Sequence, residues 1–485
     1  MILDQDACYE ALRSKDARFD GRFFVGVSST GIYCRTVCRA RLPKRENCTF
    51  YETAAQAEAA GYRPCLQCRP ELAPGMAPVD SEQTLARKAA RLLKENCRDI
   101  DDLEAFSDKL GYTSRHLRRA FNDEYGVSPV QYLQTCRLLL AKHLLASTHL
   151  PIAQVAEAAG FGSQRRFNDA FKQHYGLVPG EMRRRGGTAE KDGHIVLELG
   201  YRPPYQWQRI LGFLEMRAIP GVETVREETY YRTARVSLRD GEVFGWLSVQ
   251  PVPGKNIARI SVSSSLLGVL PQVIGRIRHQ FDLDCDPCAI AEGMHGFDEV
   301  CPGRFIPGTR VPGCFDAYEM CVRAILGQQV SVKGASTLAG RVATAVGTPL
   351  ETGIDGLTHV FPSPRHVSGM GNHANELLGS LGIIGRRVDA ILMLAGVLGR
   401  GEIDLSYGSD PAQAIPALEA LPGIGPWTAQ YIAMRTTGYP DAFPSTDLEV
   451  KKALAPRTRK EIDETAHAWS PWRSYAVMSL WSSDR

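Results

Sequence analysis

A multidomain α+β architecture is what this sequence predicts, and three observations predict it. Two short-spaced cysteine pairs, Cys34-x3-Cys38 and Cys65-x2-Cys68, lie close together near the N-terminus. The segment that follows is helical and repeats itself: Leu110-Gly111-Tyr112-Thr113-Ser114, Leu117, Phe121, Tyr125-Gly126 and Pro129 recur as Ala159-Gly160-Phe161-Gly162-Ser163, Phe167, Phe171, Tyr175-Gly176 and Pro179. After residue 193, alternating β-rich runs give way to helices broken by Gly and Pro. The expected order is a small α+β domain carrying the cysteines (1–78), an all-α domain of two helix-turn-helix units (79–186), a linker (187–193), an α+β subdomain (194–285) and an all-α domain with a helix-hairpin-helix (286–485). A chain of 485 residues is long enough for three or four such cores.

Composition narrows the class. With 44% apolar and 23% charged residues the chain reads as globular and soluble. Met1-Ile2-Leu3-Asp4-Gln5-Asp6 is acidic and lacks the apolar core of a signal peptide, and the apolar run Ala390 to Leu398 is too short to span a membrane. A cytoplasmic protein with no membrane partner is expected. Thirteen cysteines in such a chain argue for thiols and metal rather than disulfides. Nine of them read as small buried residues; Cys285-Asp286-Pro287-Cys288 is a second C-x2-C, but no further ligand pair stands at metal-binding spacing. The net charge of +3 hides an asymmetry: residues 1–187 carry 28 Lys and Arg against 22 Asp and Glu (+6), the remainder 29 against 32 (−3). An attraction for polyanions therefore resides in the first part.

The paired cysteines can present four thiolates to one tetrahedral Zn2+. Such a closed site reads first as a structural knuckle. The surrounding Arg35, Arg39, Arg41, Lys44, Arg45, Arg63 and Arg69 support a second reading, in which a doubly negative cluster of nucleophilic sulfurs is brought to a phosphate backbone. Residues 16 to 72, with Phe23-Phe24-Val25-Gly26-Val27, Thr30-Gly31-Ile32-Tyr33-Cys34-Arg35, Arg45-Glu46-Asn47 and Gly61-Tyr62-Arg63-Pro64-Cys65-Leu66-Gln67-Cys68, resemble the N-terminal domain of the Ada family of methylation-response regulators. The resemblance implies that Cys34 accepts a methyl group from a DNA methylphosphotriester, that Cys38, Cys65 and Cys68 complete the zinc site, and that Thr30, Arg39, Arg41 and Arg63 contact DNA. Methylating one thiolate makes the cluster less negative by one charge, so repair is expected to tighten DNA binding.

In each helical repeat a short helix, a Gly-containing turn and a second helix form a helix-turn-helix, and the pair resembles the DNA-binding domain of AraC-type regulators. Ser114 and Ser163 are expected to cap the second helices, with Leu117, Phe121, Phe167 and Phe171 inward. Arg115, His116, Arg118 and Arg119 then face outward on the first, and Gln164, Arg165, Arg166 and Asn168 on the second, where they either read base edges or grip phosphate.

The Pro-Cys-His-Arg acceptor that follows in many Ada proteins is absent, so repair of O6-methylguanine is not expected. Instead, His194 to Tyr201, Tyr230 to Leu238 and Val243 to Val252 read as strands, with Arg239-Asp240-Gly241-Glu242 as a turn and Leu266 to Phe281 as an amphipathic helix. Further on, Leu421-Pro422-Gly423-Ile424-Gly425-Pro426-Trp427-Thr428-Ala429 has the form of a helix-hairpin-helix, in which Gly423 and Gly425 let backbone N–H groups approach a phosphate. Asp447 stands twenty residues after Trp427. By itself it reads as a helix start, in a capping box running from Thr446 to Glu449. Together with Val311-Pro312-Gly313-Cys314-Phe315-Asp316, Arg323-Ala324-Ile325-Leu326-Gly327-Gln328-Gln329-Val330-Ser331 and Trp472-Arg473-Ser474-Tyr475-Ala476, these motifs resemble the AlkA family of alkylbase DNA glycosylases. The resemblance implies Asp447 as catalytic carboxylate, Trp427, Tyr431 and Trp481 as an aromatic pocket for a flipped alkylated purine, and Gln329 near the wedge that fills the vacated gap. Trp427 occupies the position where lyase-type relatives carry lysine, which implies base removal without strand cleavage. The expected partners are alkylated and promoter duplex DNA and RNA polymerase, in the nucleoid of a bacterial cytoplasm. The contrasting reading is a zinc-stabilised transcription factor whose glycosylase domain only binds DNA.

Overall fold

The computed structural model describes residues 4–75, 85–185, 194–238 and 241–482. The expected linkers at 72–80 and 187–193 and the turn at 239–242 fall wholly or partly outside them. The chain forms two compact units: one comprises Met1–Pro203 and Val252–Gly275, the other Pro204–Pro251 and Arg276–Arg485. Strands β5 (His194–Gly200) and β9 (Ile257–Ser263) fall in the first unit, and β6 (Glu223–Arg226), β7 (Thr229–Leu238) and β8 (Gly241–Pro251) in the second.

The first unit begins with α1 (Gln5–Arg13), whose first turn is capped by the Asp4 carboxylate and which buries Cys8, Ala11 and Leu12. They pack with Val25, Val27 and Phe50 of a four-stranded sheet in the order β3 (Cys48–Tyr51), β1 (Phe24–Val27), β2 (Ile32–Cys34), β4 (Arg63–Pro64). The parallel register Tyr33↔Pro64 sets Cys34 beside Cys65, so sheet pairing brings the two cysteine pairs together. Helix α2 (Ala54–Ala59) enters through a capping box of Thr53 and Gln56.

Seven helices follow: α3 (Leu85–Glu95), α4 (Leu103–Lys109), α5 (Ser114–Tyr125), α6 (Pro129–Ser147), α7 (Ile152–Ala158), α8 (Gln164–Tyr175) and α9 (Pro179–Arg185). Leu117, Phe121, Phe167 and Phe171 are fully buried, as the periodicity requires. One cap differs from expectation: Thr113, not Ser114, accepts the His116 amide of α5, whereas Ser163 does cap α8. Gly126 and Gly176 end the two helices at φ 62° and 65°, where a side chain would be strained.

Buried charge ties the cysteine domain to the helices. The Glu58 carboxylate of α2 accepts the Tyr33 hydroxyl at 3.1 Å and the Thr135 hydroxyl of α6 at 2.7 Å, and lies 3.9 Å from His174 of α8. Arg69 joins Glu71 at 3.2 Å, Ser147 of α6 at 2.9 Å and Glu198 of β5 at 3.7 Å, while Glu71 also pairs with the buried Lys142 of α6. Burial pushes Glu58 up to about 7, against the hydrogen bonds of Thr135 and Tyr33. The unfolded chain loses this proton near 4.5, so folding takes up a proton between about 4.5 and 7 and stability falls as pH rises through that window. At roughly 1.4 kcal/mol per pH unit the cost approaches about 3 kcal/mol above pH 7. Glu58→Gln is therefore expected to raise the melting temperature at pH 8 and to leave it unchanged below pH 4.5; equal shifts at both pH values would contradict this account.

In the second unit β6, β7 and β8 form an antiparallel meander, with Glu223↔Arg232 and Tyr230↔Val249 among its pairs. Helix α10 (Trp207–Met216) packs on β6 and β7. Then come α11 (Leu270–Gln280), which crosses the unit boundary, α12 (Pro287–Gly293), α13 (His295–Val300), α14 (Ala317–Leu326), α15 (Val332–Val346), α16 (Pro364–Gly369), α17 (Asn372–Ser380), α18 (Gly385–Arg400), α19 (Pro411–Glu419), α20 (Pro426–Thr436), α21 (Leu448–Ala453), α22 (Arg459–Ala466) and α23 (Arg473–Trp481). A buried ion network fixes α14 to the meander: Arg232 meets Glu319 at 2.7 Å and Arg323 meets Glu223 at 2.9 Å. Opening one such pair strands a charge in the interior, which is how a signature arginine comes to set the direction of α14. No described helix is long and apolar enough to cross a membrane.

Candidate functional site

The thiols of Cys34, Cys38, Cys65 and Cys68 lie within 4.8 Å of one another. A ZnS4 tetrahedron with bonds of about 2.3 Å has edges of roughly 3.8 Å, so this donor set fits one Zn2+. Backbone amides approach the cluster. Cys68 accepts the Arg35 N–H at 3.4 Å, Cys38 that of Ala40 and Cys65 that of Cys68.

The seven basic residues around the cluster divide by partner. Arg35 is buried and paired with Asp20, and it also donates to the Cys68 carbonyl at 3.1 Å. Arg69 is held by Glu71, Ser147 and Glu198, and Arg45 by Asp6 at 3.2 Å. Arg35 and Arg69 thereby brace the fold, while Arg45 and Lys44, which pairs with Glu46 at 3.5 Å, form ion pairs at the surface. Thr30, Arg39, Arg41 and Arg63 are exposed, and none of the three arginines has a carboxylate partner among the described residues. Arg63 lies against Gly176, the C-cap of α8. On α5, Arg115, His116, Arg118 and Arg119 are exposed, as are Gln164, Arg165 and Arg166 on α8; Asn168 is half-buried, with its Oδ1 turned inward.

In the second unit Asp447 lies at the start of α21, half-buried. Its Oδ1 accepts three N–H groups: the Glu449 amide at 2.9 Å, the Val450 amide at 3.1 Å and the Trp481 indole at 3.0 Å. Its Oδ2 accepts one, from the Trp427 indole at 2.9 Å. The N-cap is therefore Asp447 itself, not Thr446 as the sequence suggested. Trp427 stacks on Tyr431, one turn further along α20, with centroids 5.2 Å apart, and Tyr431 meets Trp481 edge-on at 5.9 Å. The next turn brings Arg435, which donates to the Tyr431 hydroxyl at 2.9 Å and to the Gly313 carbonyl at 3.0 Å. Burial would raise the Tyr431 phenol, but Arg435, Arg217 and Arg323 outweigh it and hold it below its ordinary value. Burial lowers the Arg217 guanidinium to about 10; it lies 3.8 Å from the centroid of Phe213. Tyr431 is only 9% exposed, so it backs the two half-buried indoles. Arg435 was recoverable from the i, i+4, i+8 spacing of Trp427, Tyr431 and Arg435. Phe213 and Arg217, some 200 residues away in sequence, left no comparable signal.

Gly423 (φ 86°) and Gly425 form the exposed hairpin between α19 and α20, with Gly425 as N-cap and Ile424 buried beneath. The Gln328 side chain braces it through the Gly423 carbonyl at 2.9 Å. The neighbouring Gln329 is exposed with φ 56°, a left-handed conformation that strains any residue with a β-carbon, and Val330 and Val332 are exposed beside it.

Comparison with known proteins adds three matches to domain families: the metal binding domain of Ada over residues 7–71, a helix-turn-helix domain over 106–185 and the AlkA N-terminal domain over 196–316. The chain is 37% identical to the probable bifunctional transcriptional activator/DNA repair enzyme AlkA of Mycobacterium tuberculosis, covering 99% of this chain and 96% of that protein. It is 36% identical to DNA-3-methyladenine glycosylase 2 of Escherichia coli, covering 59% of this chain and 96% of that one. With the bifunctional transcriptional activator/DNA repair enzyme AdaA of Bacillus subtilis it shares 31% identity over 39% of this chain and 87% of the other.

Proposed function

Because the chain belongs to the family of bifunctional transcriptional activator/DNA repair enzymes of the AlkA type, we propose that it senses DNA methylation at Cys34 and excises alkylated bases with Asp447. Its Ada-type and helix-turn-helix parts bind DNA and activate transcription, and its AlkA-type part is a repair glycosylase. The division at 1–78, 79–186, 194–285 and 286–485 assigns these tasks in order, and RNA polymerase in a bacterial cytoplasm is the partner of activation.

The observation that carries the sensor reading is the convergence of four thiols in one chain segment with the exposed Thr30, Arg39, Arg41 and Arg63. A bound Zn2+ would keep all four as thiolates at neutral pH. A thiolate is the nucleophile, and Cys34, the first of the four, is taken as the acceptor on the likeness of residues 7–71 to the metal binding domain of Ada. Its lone pair attacks the methyl carbon of a phosphotriester, and the C–O bond breaks with its electrons left on the phosphate, which becomes an anionic diester. The thioether formed is stable, so each molecule reacts once. Thr30, Arg39, Arg41 and Arg63 hold the backbone, while Arg115, Arg118, Arg119, Gln164 and Arg165 face the grooves of a promoter.

At the second site the C1′–N bond of a flipped alkylpurine breaks with its electrons leaving on the base, Asp447 stabilises the cationic sugar, and water adds through its oxygen to C1′ and releases its proton to solvent. Trp427 and Trp481 offer aromatic faces to the base with Tyr431 behind them, Gln329 enters the vacated gap, and Gly423 and Gly425 anchor a phosphate. No lysine stands at the Trp427 position, so the strand stays intact. Incubating the zinc-loaded chain with methylated duplex DNA and mapping methyl groups by peptide mass spectrometry, alongside chromatography of released bases, tests both halves. Methyl on Cys34 together with free 3-methyladenine is expected; methyl on another cysteine would refute the sensor assignment.

A further inference from the structure

The hydrogen bonds at Asp447 divide its two oxygens, and we infer that Trp481 is a positioning residue that anchors Oδ1 and leaves Oδ2 as the oxygen that meets the sugar cation. The inference rests on Asp447 being the catalytic carboxylate. A carboxylate oxygen has two lone-pair directions. Oδ1 already takes three donors, the Glu449 and Val450 amides and the Trp481 indole, and has no capacity left. Oδ2 takes only the Trp427 indole and keeps a lone pair for a developing positive charge.

The donors also differ in how firmly they are held. The two amides belong to the backbone of α21, which Asp447 itself caps, so their direction is set by the helix. Trp481 comes from α23, whose preceding residues Ser474 to Leu480 are all buried, and α21 and α23 pack on each other. These three donors approach one oxygen from two elements and fix both torsions of a side chain that would otherwise rotate. Trp427 is the second residue of α20, just after the exposed glycine hairpin, and its ring stacks on Tyr431. It is the donor that shares Oδ2 with the arriving sugar. Both rings face the base, but their N–H groups have separate tasks: that of Trp481 sets the carboxylate, and that of Trp427 ties its ring to the oxygen that meets the sugar.

Phenylalanine keeps a ring and removes the N–H, which isolates the hydrogen bond from stacking. With full-length zinc-loaded protein and dimethyl sulfate-treated duplex DNA, single-turnover release of 3-methyladenine and 7-methylguanine is measured at saturating protein and across a protein titration. Trp481→Phe is expected to lower the saturating rate for both bases by the same factor, roughly tenfold or more for a lost bond to a charged group, with half-saturation within about twofold of wild type. Trp427→Phe is expected to alter half-saturation and the preference between the two bases. A melting curve and an unchanged half-saturation show that Trp481→Phe is folded and loads DNA. An unchanged saturating rate in that variant, or a loss confined to one base, overturns the positioning role. An equal, base-independent rate loss in Trp427→Phe overturns the division between the oxygens. If Asp447→Asn retains the wild-type rate, the carboxylate reading itself falls; if Asp447→Asn is inactive while Trp481→Phe is unimpaired, only the present inference does.

Discussion

Cys34→Ala protein is expected to take up no methyl from phosphotriester DNA and yet to bind unmethylated duplex more tightly than the wild type. The two halves of this result have one electrostatic origin. Methylation turns one of four negative sulfurs into a neutral thioether, and alanine removes the same single charge. A unit charge about 8 Å from a phosphate, at an effective dielectric of about 20, is worth roughly 2 kcal/mol before screening, so a gain on the order of tenfold in affinity is expected at low salt. It should shrink as salt rises and the Debye length falls below that distance. Fluorescence anisotropy with promoter-length duplex at several salt concentrations measures both effects, and methyl mapping on the same samples measures the first. The exposed Arg39, Arg41 and Arg63, free of carboxylate partners among the described residues, supply the attraction that the cluster's charge opposes. Methyl uptake at Cys38, Cys65 or Cys68 in the variant, or an affinity equal to that of the unmethylated wild type at all salts, would refute the account.

What the sequence made readable, and what it hid, follows from the range of the interactions involved. The ligand set was readable because thiolates three and four residues apart converge on one ion whatever the rest of the fold does. The helix-turn-helix pair was readable because caps, left-handed glycines and apolar spacing are all local, and Leu117, Phe121, Phe167 and Phe171 are buried accordingly. Caps misled by one residue where two competent residues adjoin, at Thr113-Ser114 and at Thr446-Asp447; the choice is made by backbone torsions that propensity does not encode. Charge misled further. Arg35 and Arg69 counted among the seven basic residues that draw a polyanion to the cluster, but their partners Asp20 and Glu198 stand 15 and 129 residues away and become neighbours only when β2 and β5 are in place. Likewise three aromatic residues could be named for a base pocket, but not that two of them would bind the carboxylate rather than only line a cavity.

Asp447→Asn is expected to lower base release by roughly a thousandfold while leaving the fold and DNA affinity nearly intact. Asparagine is as good an N-cap as aspartate, so its carbonyl oxygen can still take the Glu449 and Val450 amides and the Trp481 indole. Its amide nitrogen then faces the Trp427 N–H, donor against donor, a local cost that the half-exposed site can relieve. What vanishes is the negative charge opposite the sugar cation. Asp447→Ala separates the two duties of this residue: it should be equally inactive but also less stable, by about 1 kcal/mol for the lost cap. Calorimetry of the three proteins beside single-turnover release of 3-methyladenine makes the comparison. Should asparagine restore stability and activity together, the carboxylate would be a cap and nothing more, and the glycosylase chemistry would have to be sought in another residue.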